Sequence, residues 1–337
     1  MRHSSRKINR LLVVLMIQIF LNGFGYINAN AQLASINDSA MHLADPTIYY
    51  HDRIYYLYGT VEGNTGRGFR YYTSTDLWKW QTGNASAEEY ALKKGATFGT
   101  DKFWAPQVFK TVNQFHMAYT ANENIAIATA ATPAGPFEQQ EKGPLAAAAR
   151  QIDPFVFIDD DGKKYLYHVR LLQGNKIFVA EMEDDLSAIK PGSLKECITA
   201  AEPWENTAHS DWPVAEGPTV VKHKNVYYLL YSANDFRNPD YAVGYATSTS
   251  PSGPWKKYKG NPIISKKNTG WNGTGHGDLM IDNRQQLQYV LHTHFSETVA
   301  IPRRTAIIEM QFIQDDREDM DKIVADIKSF RFLAVSK

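Results

Sequence analysis

The sequence predicts an all-β chain folded as a five-bladed β-propeller, and three observations carry that expectation. One unit, an apolar strand, a polar turn and an aromatic strand, recurs five times along the chain. The unit returns every ~50–60 residues, the spacing of propeller blades. Short strand patterns dominate, and no long helical periodicity appears before residues 320–330. A β-sandwich accounts for short strands but not for five copies of one unit.

The first unit runs from Ala44-Asp45-Pro46-Thr47-Ile48 across His51-Asp52-Arg53 to Tyr55-Tyr56-Leu57-Tyr58. The second runs from Trp104-Ala105-Pro106-Gln107-Val108 to Met117-Ala118-Tyr119, with a further strand over 125–129. The third joins Ile152-Asp153-Pro154-Phe155-Val156 to Tyr165-Leu166-Tyr167 through Asp159-Asp160-Asp161-Gly162-Lys163. That acidic run lacks the remaining ligand spacing of a calcium loop and reads as a hairpin turn. The fourth joins Glu216-Gly217-Pro218-Thr219-Val220 to Tyr227-Tyr228-Leu229-Leu230-Tyr231 across Lys222-His223-Lys224-Asn225, followed by a strand over 243–247. The fifth and weakest runs from Gly275-His276-Gly277-Asp278-Leu279 to Tyr289-Val290-Leu291-His292. Two near-duplicate turns, Pro133-Ala134-Gly135-Pro136-Phe137 and Ser250-Pro251-Ser252-Gly253-Pro254-Trp255, follow the third strands of units two and four.

Residues 1–31 read as a secretory signal peptide. Arg2, Arg6, Lys7 and Arg10 form its basic region, 11–21 its apolar stretch, and Ala29-Asn30-Ala31 its small-residue cleavage site. The apolar stretch is too short for a membrane span, so the mature protein is expected to be exported, periplasmic or extracellular, with no span of its own. Residues 32–337 then form a single propeller domain, because five blades leave no room for another. Losing four basic residues from a balance of 36 Lys and Arg against 36 Asp and Glu makes the mature chain slightly acidic. Without a basic stripe, nucleic acid is not an expected partner. The single Cys197 excludes an internal disulfide and a cysteine-rich metal site. Aromatic residues make up 12% of the chain, enough to fill the cores between sheets and to present rings to sugars.

First strands of propeller blades line the central channel, so residues at matching positions converge on the axis. Asp45 and Asp153 match in units one and three, and Glu216 is read as the matching residue of unit four, with Trp104 and His276 bordering them. An isolated Asp-Pro is a turn signal; three acids in register across a repeat point instead to acid–base chemistry. His292 and His294 share one strand face, a placement compatible with metal binding, and are read as packing residues. The Gly273-Thr274-Gly275-His276-Gly277 stretch lacks the Lys of a phosphate loop.

Ala44-Asp45-Pro46, Trp104-Ala105-Pro106, Ile152-Asp153-Pro154, Glu216-Gly217-Pro218 and Gly275-His276 together resemble glycoside hydrolase family 43, over roughly residues 42–315. The resemblance implies a five-bladed propeller with an axial active site. It implies Asp45 as the general base, Glu216 as the general acid, and Asp153 as the residue that positions Glu216 and raises its pKa. It further implies Trp104 as an apolar wall of the sugar pocket, and His276 as a contact to substrate or to water around a central cation. Arg304, or its neighbour Arg303, would donate to sugar hydroxyls. A structural calcium ion at the axis fits the resemblance; inverting hydrolysis requires no cofactor. Gln107 departs from the family, which often has an acid there, and the presence of Asp45 argues against a galactan-cleaving branch that lacks the base.

The expected activity is inverting, exo-acting hydrolysis that releases terminal α-L-arabinofuranosyl or β-D-xylosyl residues from plant-type oligo- or polysaccharides. The alternatives are a galactofuranosidase or endo-arabinanase of the same family or, in another class, an inactive carbohydrate-binding propeller, which should have lost at least one acid. A propeller that transfers sugar to phosphate should carry a basic cluster in the pocket, and none stands out.

Overall fold

Each repeat unit becomes one antiparallel sheet. The computed structural model describes residues 40–83, 90–112, 114–314 and 320–336; the leader read over 1–31 lies outside them. Blade one orders Ala44–His51, Ile54–Thr60, Tyr72–Ser74 and Gln81–Thr82 from the axis outward. Blade two has three strands, Trp104–Lys110, Phe115–Ala121 and Asn124–Ala130, and its fourth position is a bridge between Thr129 and Glu138. Blade three begins with Gln151–Ile158, blade four with Ala215–His223 and blade five with Gly275–Ile281, each leading a four-stranded sheet. These inner strands pack against one another in sequence order, and the fifth packs against the first, which closes the ring.

The sequence pattern explains the hairpins. Asp52 and Arg53 have φ of 48° and 66°, and Lys224 and Asn225 have φ of 50° and 75°. Left-handed pairs of this kind match the twist of two-residue hairpins. The Asp159 turn is the expected hairpin, and it also latches blade three to blade four: Asp159 Oδ2 accepts Tyr227 O–H at 2.5 Å and Oδ1 accepts Lys222 Nζ at 2.8 Å. The two near-duplicate turns do equivalent work, since Tyr58 O–H donates to the Pro133 carbonyl and Tyr167 O–H to the Pro251 carbonyl.

The apolar core is divided among the blade interfaces. One cluster joins Tyr58 and Tyr71 of blade one to Val108 and Met117 of blade two, and another joins Phe109 and Ile125 to Val156 and Leu166 of blade three. Tyr167 and Val179 meet Val220 and Leu229 between blades three and four, Leu230 and Tyr245 meet Tyr289 and Ile308 between four and five, and Met280 and Val290 meet Ile48 and Trp80 between five and one. Most of the aromatic residues serve here, as expected. The ring is sealed by backbone bonds at both chain ends: Met41 N–H donates to Leu333 O at 3.0 Å, Thr305 N–H to Met41 O at 3.0 Å, and Ser336 N–H to Trp80 O at 2.7 Å.

The stretch read with helical periodicity over 320–330 is instead a strand, Lys322–Phe332, paired along Arg304–Ile313 as the outer edge of blade five. Ile323 is buried there and Ala325, Ile327, Phe330 and Phe332 pack partly against the blade core, so a sheet edge in need of a partner overrides weak local periodicity. Among the described residues, no helix is long and apolar enough to cross a membrane.

Candidate active site

Every inner strand carries the same irregularity. The pairing register breaks after Ala44, Trp104, Ile152, Glu216 and Gly275. The next residue is left-handed in each blade: Asp45 (φ 49°), Ala105 (44°), Asp153 (55°), Gly217 (59°) and His276 (36°). A bulge re-aims side chains, and five at one level ring the mouth of the channel. This register corrects the sequence alignment of the acids. Glu216 does not match Asp45 and Asp153; it stands one residue earlier, and Gly217 holds the matching place. Glycine suits that place twice over, since φ is positive and an added Cβ would lie 2.8 Å from the His276 ring.

The left-handed backbone N–H groups need acceptors, and the preceding blade supplies them. Ala105 N–H donates to Thr60 Oγ1 at 2.9 Å, Asp153 N–H to Thr120 Oγ1 at 3.0 Å, His276 N–H to Ser232 Oγ at 2.7 Å, and Asp45 N–H to His292 Nδ1 at 3.1 Å. Each acceptor sits on a second strand, opposite the residue just before the bulge. In blade three that place is taken by Val169, opposite Ile152, which has no acceptor to offer. There the Asp153 carboxylate substitutes, with Oδ2 accepting Gly217 N–H at 3.2 Å. Asp153 thus grips the backbone beside Glu216, a positioning contact.

The three acids sit in different electrostatic settings. Burial alone would push the Asp45 carboxyl up. Arg303, His276 and the Thr60 hydroxyl outweigh it and carry Asp45 below its ordinary value. Arg303 Nη1 lies 3.0 Å from Asp45 Oδ1, and Thr60 Oγ1 donates to Oδ2 at 2.7 Å. Glu216 is pushed up to about 7, first by burial and then by the charge of Asp45, against the Tyr241 and Asn175 hydrogen bonds that favour its ionised form. Tyr241 O–H donates to Oε1 at 2.8 Å and Asn175 Nδ2 to Oε2 at 2.8 Å. Asp153 is also raised, by burial and by the Glu216 and Asp45 charges. Burial is the main cause of the rise at Glu216, with Asp45 and Asp235 adding to it, and the Asp153 and Glu216 carboxyls oppose each other's ionisation.

The remaining candidates fall into two groups. Asp45, Trp104, Asp153, Glu216, His276 and Arg303 all line one cavity of about 550 Å3 at the mouth of the channel, a volume in the range of ligand pockets. Arg304 does not take part. Its guanidinium lies 3.5 Å from the Phe332 ring centre and 5.1 Å from that of Trp271, because successive strand residues point to opposite faces. Arg303 is the site arginine, bonded to Asp45, donating from Nε to Glu62 Oε1 at 2.7 Å, and stacked 4.4 Å over Phe236. Gln107 lines the axial cavity and stitches blades two and three: its amide donates to Val156 O at 3.1 Å and accepts Val156 N–H at 2.7 Å. His292 is buried against Tyr241 (ring centres 5.7 Å apart, 6° between planes), a packing residue as read, and it also accepts the Asp45 N–H. Asn175, Tyr241 and Trp212 were not read from the sequence; each lies outside the repeated motifs, and no local pattern singles them out.

His276 Nδ1 stands 3.3 Å from Asp45 Oδ1 and 3.9 Å from Asp153 Oδ2. Burial lowers its pKa, with Asp45 acting against that and Arg303 with it. Among the described residues, no group of three or more His, Cys, Asp or Glu side chains is placed to hold a metal ion. His276 and Asp278 line the axial cavity together with Asp45 and Asp153.

Comparison with known proteins agrees with this architecture. A structure described as an endo-1,4-β-xylanase from Bacteroides thetaiotaomicron VPI-5482 is 39% identical, with a TM-score of 0.80, over 89% of this chain and 99% of that one. A thermostable family-43 glycoside hydrolase is 33% identical, with a TM-score of 0.75, over 86% and 95%. The β-D-galactofuranosidase xynD of Aspergillus niger is 23% identical, over 82% of this chain and 81% of its own length. The family model for glycosyl hydrolases family 43 matches residues 39–317, nearly the whole propeller. The chain therefore belongs to glycosyl hydrolases family 43.

Proposed function

We propose that the chain is an exported, inverting glycoside hydrolase that removes terminal α-L-arabinofuranosyl or β-D-xylosyl residues from plant-type oligo- or polysaccharides. The observation that carries the reading is the pair of carboxyls with opposite proton preferences in one cavity, Asp45 depressed by Arg303 and Glu216 raised to about 7 by burial. Environments that push two acids apart in this way assign base and acid. Ionised Asp45 takes a proton from a water as its oxygen bonds to the anomeric carbon. The glycosidic bond breaks, and the Glu216 proton passes to the departing oxygen. Such a pair stands roughly 6.5–9.5 Å apart in inverting enzymes, leaving room for the water.

The sugar assignment is supported by relatives whose names carry these activities, among them a β-xylosidase of Xylanibacter ruminicola and an exo-α-(1→5)-L-arabinofuranosidase of Cellvibrio japonicus, at 25% and 23% identity. Galactofuranoside hydrolysis is the second reading, favoured by the Aspergillus niger relative. Release of p-nitrophenol from the α-L-arabinofuranoside, β-D-xyloside and β-D-galactofuranoside separates them. Asp45→Ala and Glu216→Ala should each reduce the productive reaction by about 10²-fold or more. Binding to arabinan or xylan with no turnover of any glycoside would contradict the proposal and leave an endo-acting enzyme of the family or a carbohydrate-binding propeller.

A further inference from the structure

The catalytic cavity continues past Glu216. Trp212, Val214, Asp235 and Arg237 line it on the side of the acid, and the same four residues line a second cavity of about 540 Å3 beyond them. The further walls of this cavity are polar, with Asn206, Thr207, Ser210 and Asn238 facing it.

Those walls are already fastened in place. Asn234 donates to Trp204 O at 2.8 Å and to Asp240 O at 3.1 Å, and accepts Thr207 N–H at 2.8 Å, which ties the segment around 204–207 to that around 234–240. Asn206 accepts Ser210 N–H at 2.9 Å and donates back to Ser210 O at 3.0 Å. A preformed cavity of hydroxyls and amides beside an indole that is 44% exposed suits a sugar ring, with C–H groups on the indole and hydroxyls on the amides.

Trp212 is also wired to the acid. Its Nε1–H donates to Asn175 Oδ1 at 2.9 Å, and Asn175 Nδ2 donates to Glu216 Oε2 at 2.8 Å. With its carbonyl engaged by Trp212, the Asn175 amide has one orientation to offer Glu216. Asp45, Arg303 and Glu62 belong to a different blade pair, so the second cavity opens on the acid's side of the site.

We propose that the second cavity binds the sugar units on the leaving-group side of the scissile bond of a linear pentose oligosaccharide, and that Trp212, acting through Asn175, ties their binding to the orientation of the Glu216 acid. This rests on the hydrolase reading above and adds a second binding site and a positioning residue. Sugar units held against Trp212 steady the indole, the indole steadies Asn175, and Asn175 steadies the acid as it gives up its proton.

The test is steady-state kinetics of the wild type, Trp212→Phe and Ala208→Trp. The substrates are β-1,4-xylo- and α-1,5-arabino-oligosaccharides of two, three and four units and the matching 2,4-dinitrophenyl glycosides, whose phenolate departs with little help from an acid. Ala208 lines only the second cavity, and a bulky side chain there fills it. For the wild type, kcat/KM should rise about tenfold from two units to four, binding energy spent on remote contacts. Ala208→Trp should erase that rise. Trp212→Phe keeps a ring and loses the N–H donor; its ratio of kcat on the four-unit substrate to kcat on the dinitrophenyl glycoside should fall about tenfold, with KM little changed, as expected when acid assistance is impaired. Turnover without length dependence, or a Trp212→Phe loss equal on both substrate types, overturns the inference alone. No turnover of any substrate overturns the hydrolase reading and this inference with it.

Discussion

Asp45 is 8% exposed, and a carboxyl taken that far from water tends to keep its proton. The Arg303 guanidinium at 3.0 Å, the His276 ring and the Thr60 hydroxyl reverse that tendency. Glu216 receives only neutral donors, from Tyr241 and Asn175, and these do not overcome burial. The signs then set the pH profile. On the proposed roles, the base works only when ionised, so activity should be lost as pH falls through an Asp45 pKa below its ordinary 3.8; the acid works only when protonated, so activity should be lost as pH rises through about 7. Replacing Arg303 by Met removes the counter-charge. The acidic limb of kcat/KM on a nitrophenyl glycoside should then move up by about 1–3 pH units, while the basic limb, which belongs to Glu216, moves less. An acidic limb that stays in place would show that Asp45 does not carry it. Arg303 also marks where sequence reading reached its limit. Two adjacent arginines precede the last strands, and only the strand's facing pattern tells which one turns to the axis.

At the scale of the strand, the repeated bulge turns a β-ribbon into a site. Its sequence signal was legible as a small or acidic residue followed by Pro in four blades and as Gly-His-Gly in the fifth. The offset of Glu216 was legible too, since aligning the motifs on their Pro sets Gly217, not Glu216, level with Asp45 and Asp153. Glu216 and Asp45 look equivalent because each precedes a tight turn motif, yet the acid of blade four stands before the left-handed position and those of blades one and three occupy it. The Val169 gap that recruits Asp153 was hidden, since it shows only when side chains on the other second strands are seen accepting the same N–H. Gly217→Ala tests the bulge directly. A Cβ at φ 59°, facing the His276 ring at 2.8 Å, should cost about 1–3 kcal/mol of stability and lower kcat, because the Asp153 contact beside Glu216 shifts with the backbone. Chemical denaturation and kinetics on one nitrophenyl glycoside would measure both; a variant as stable and active as wild type would show that the strand does not need this conformation.

Across the whole molecule, the fold sets the spacing of the chemistry. Five sheets with apolar interfaces between neighbours form a ring whose closure depends on Met41, Thr305 and Leu333. The acids lie on blades one, three and four of that ring, too far apart in sequence for any local element to hold them together. The repeat count made this architecture readable in advance. The outer strand at 322–332 was not, because its partner is a sheet edge and its own pattern is weak. With the proposed base and acid on separate blades and water as the nucleophile, the proposal predicts single displacement at the anomeric carbon. The most direct test follows the first-formed sugar by 1H NMR on whichever nitrophenyl glycoside the enzyme turns over. The account predicts that the product first appears with its anomeric configuration inverted, as α-xylose from the β-xyloside for example, and only later mutarotates. A first product with retained configuration would mean a covalent sugar–enzyme intermediate, and would contradict the assignment of Asp45 as a base acting on water.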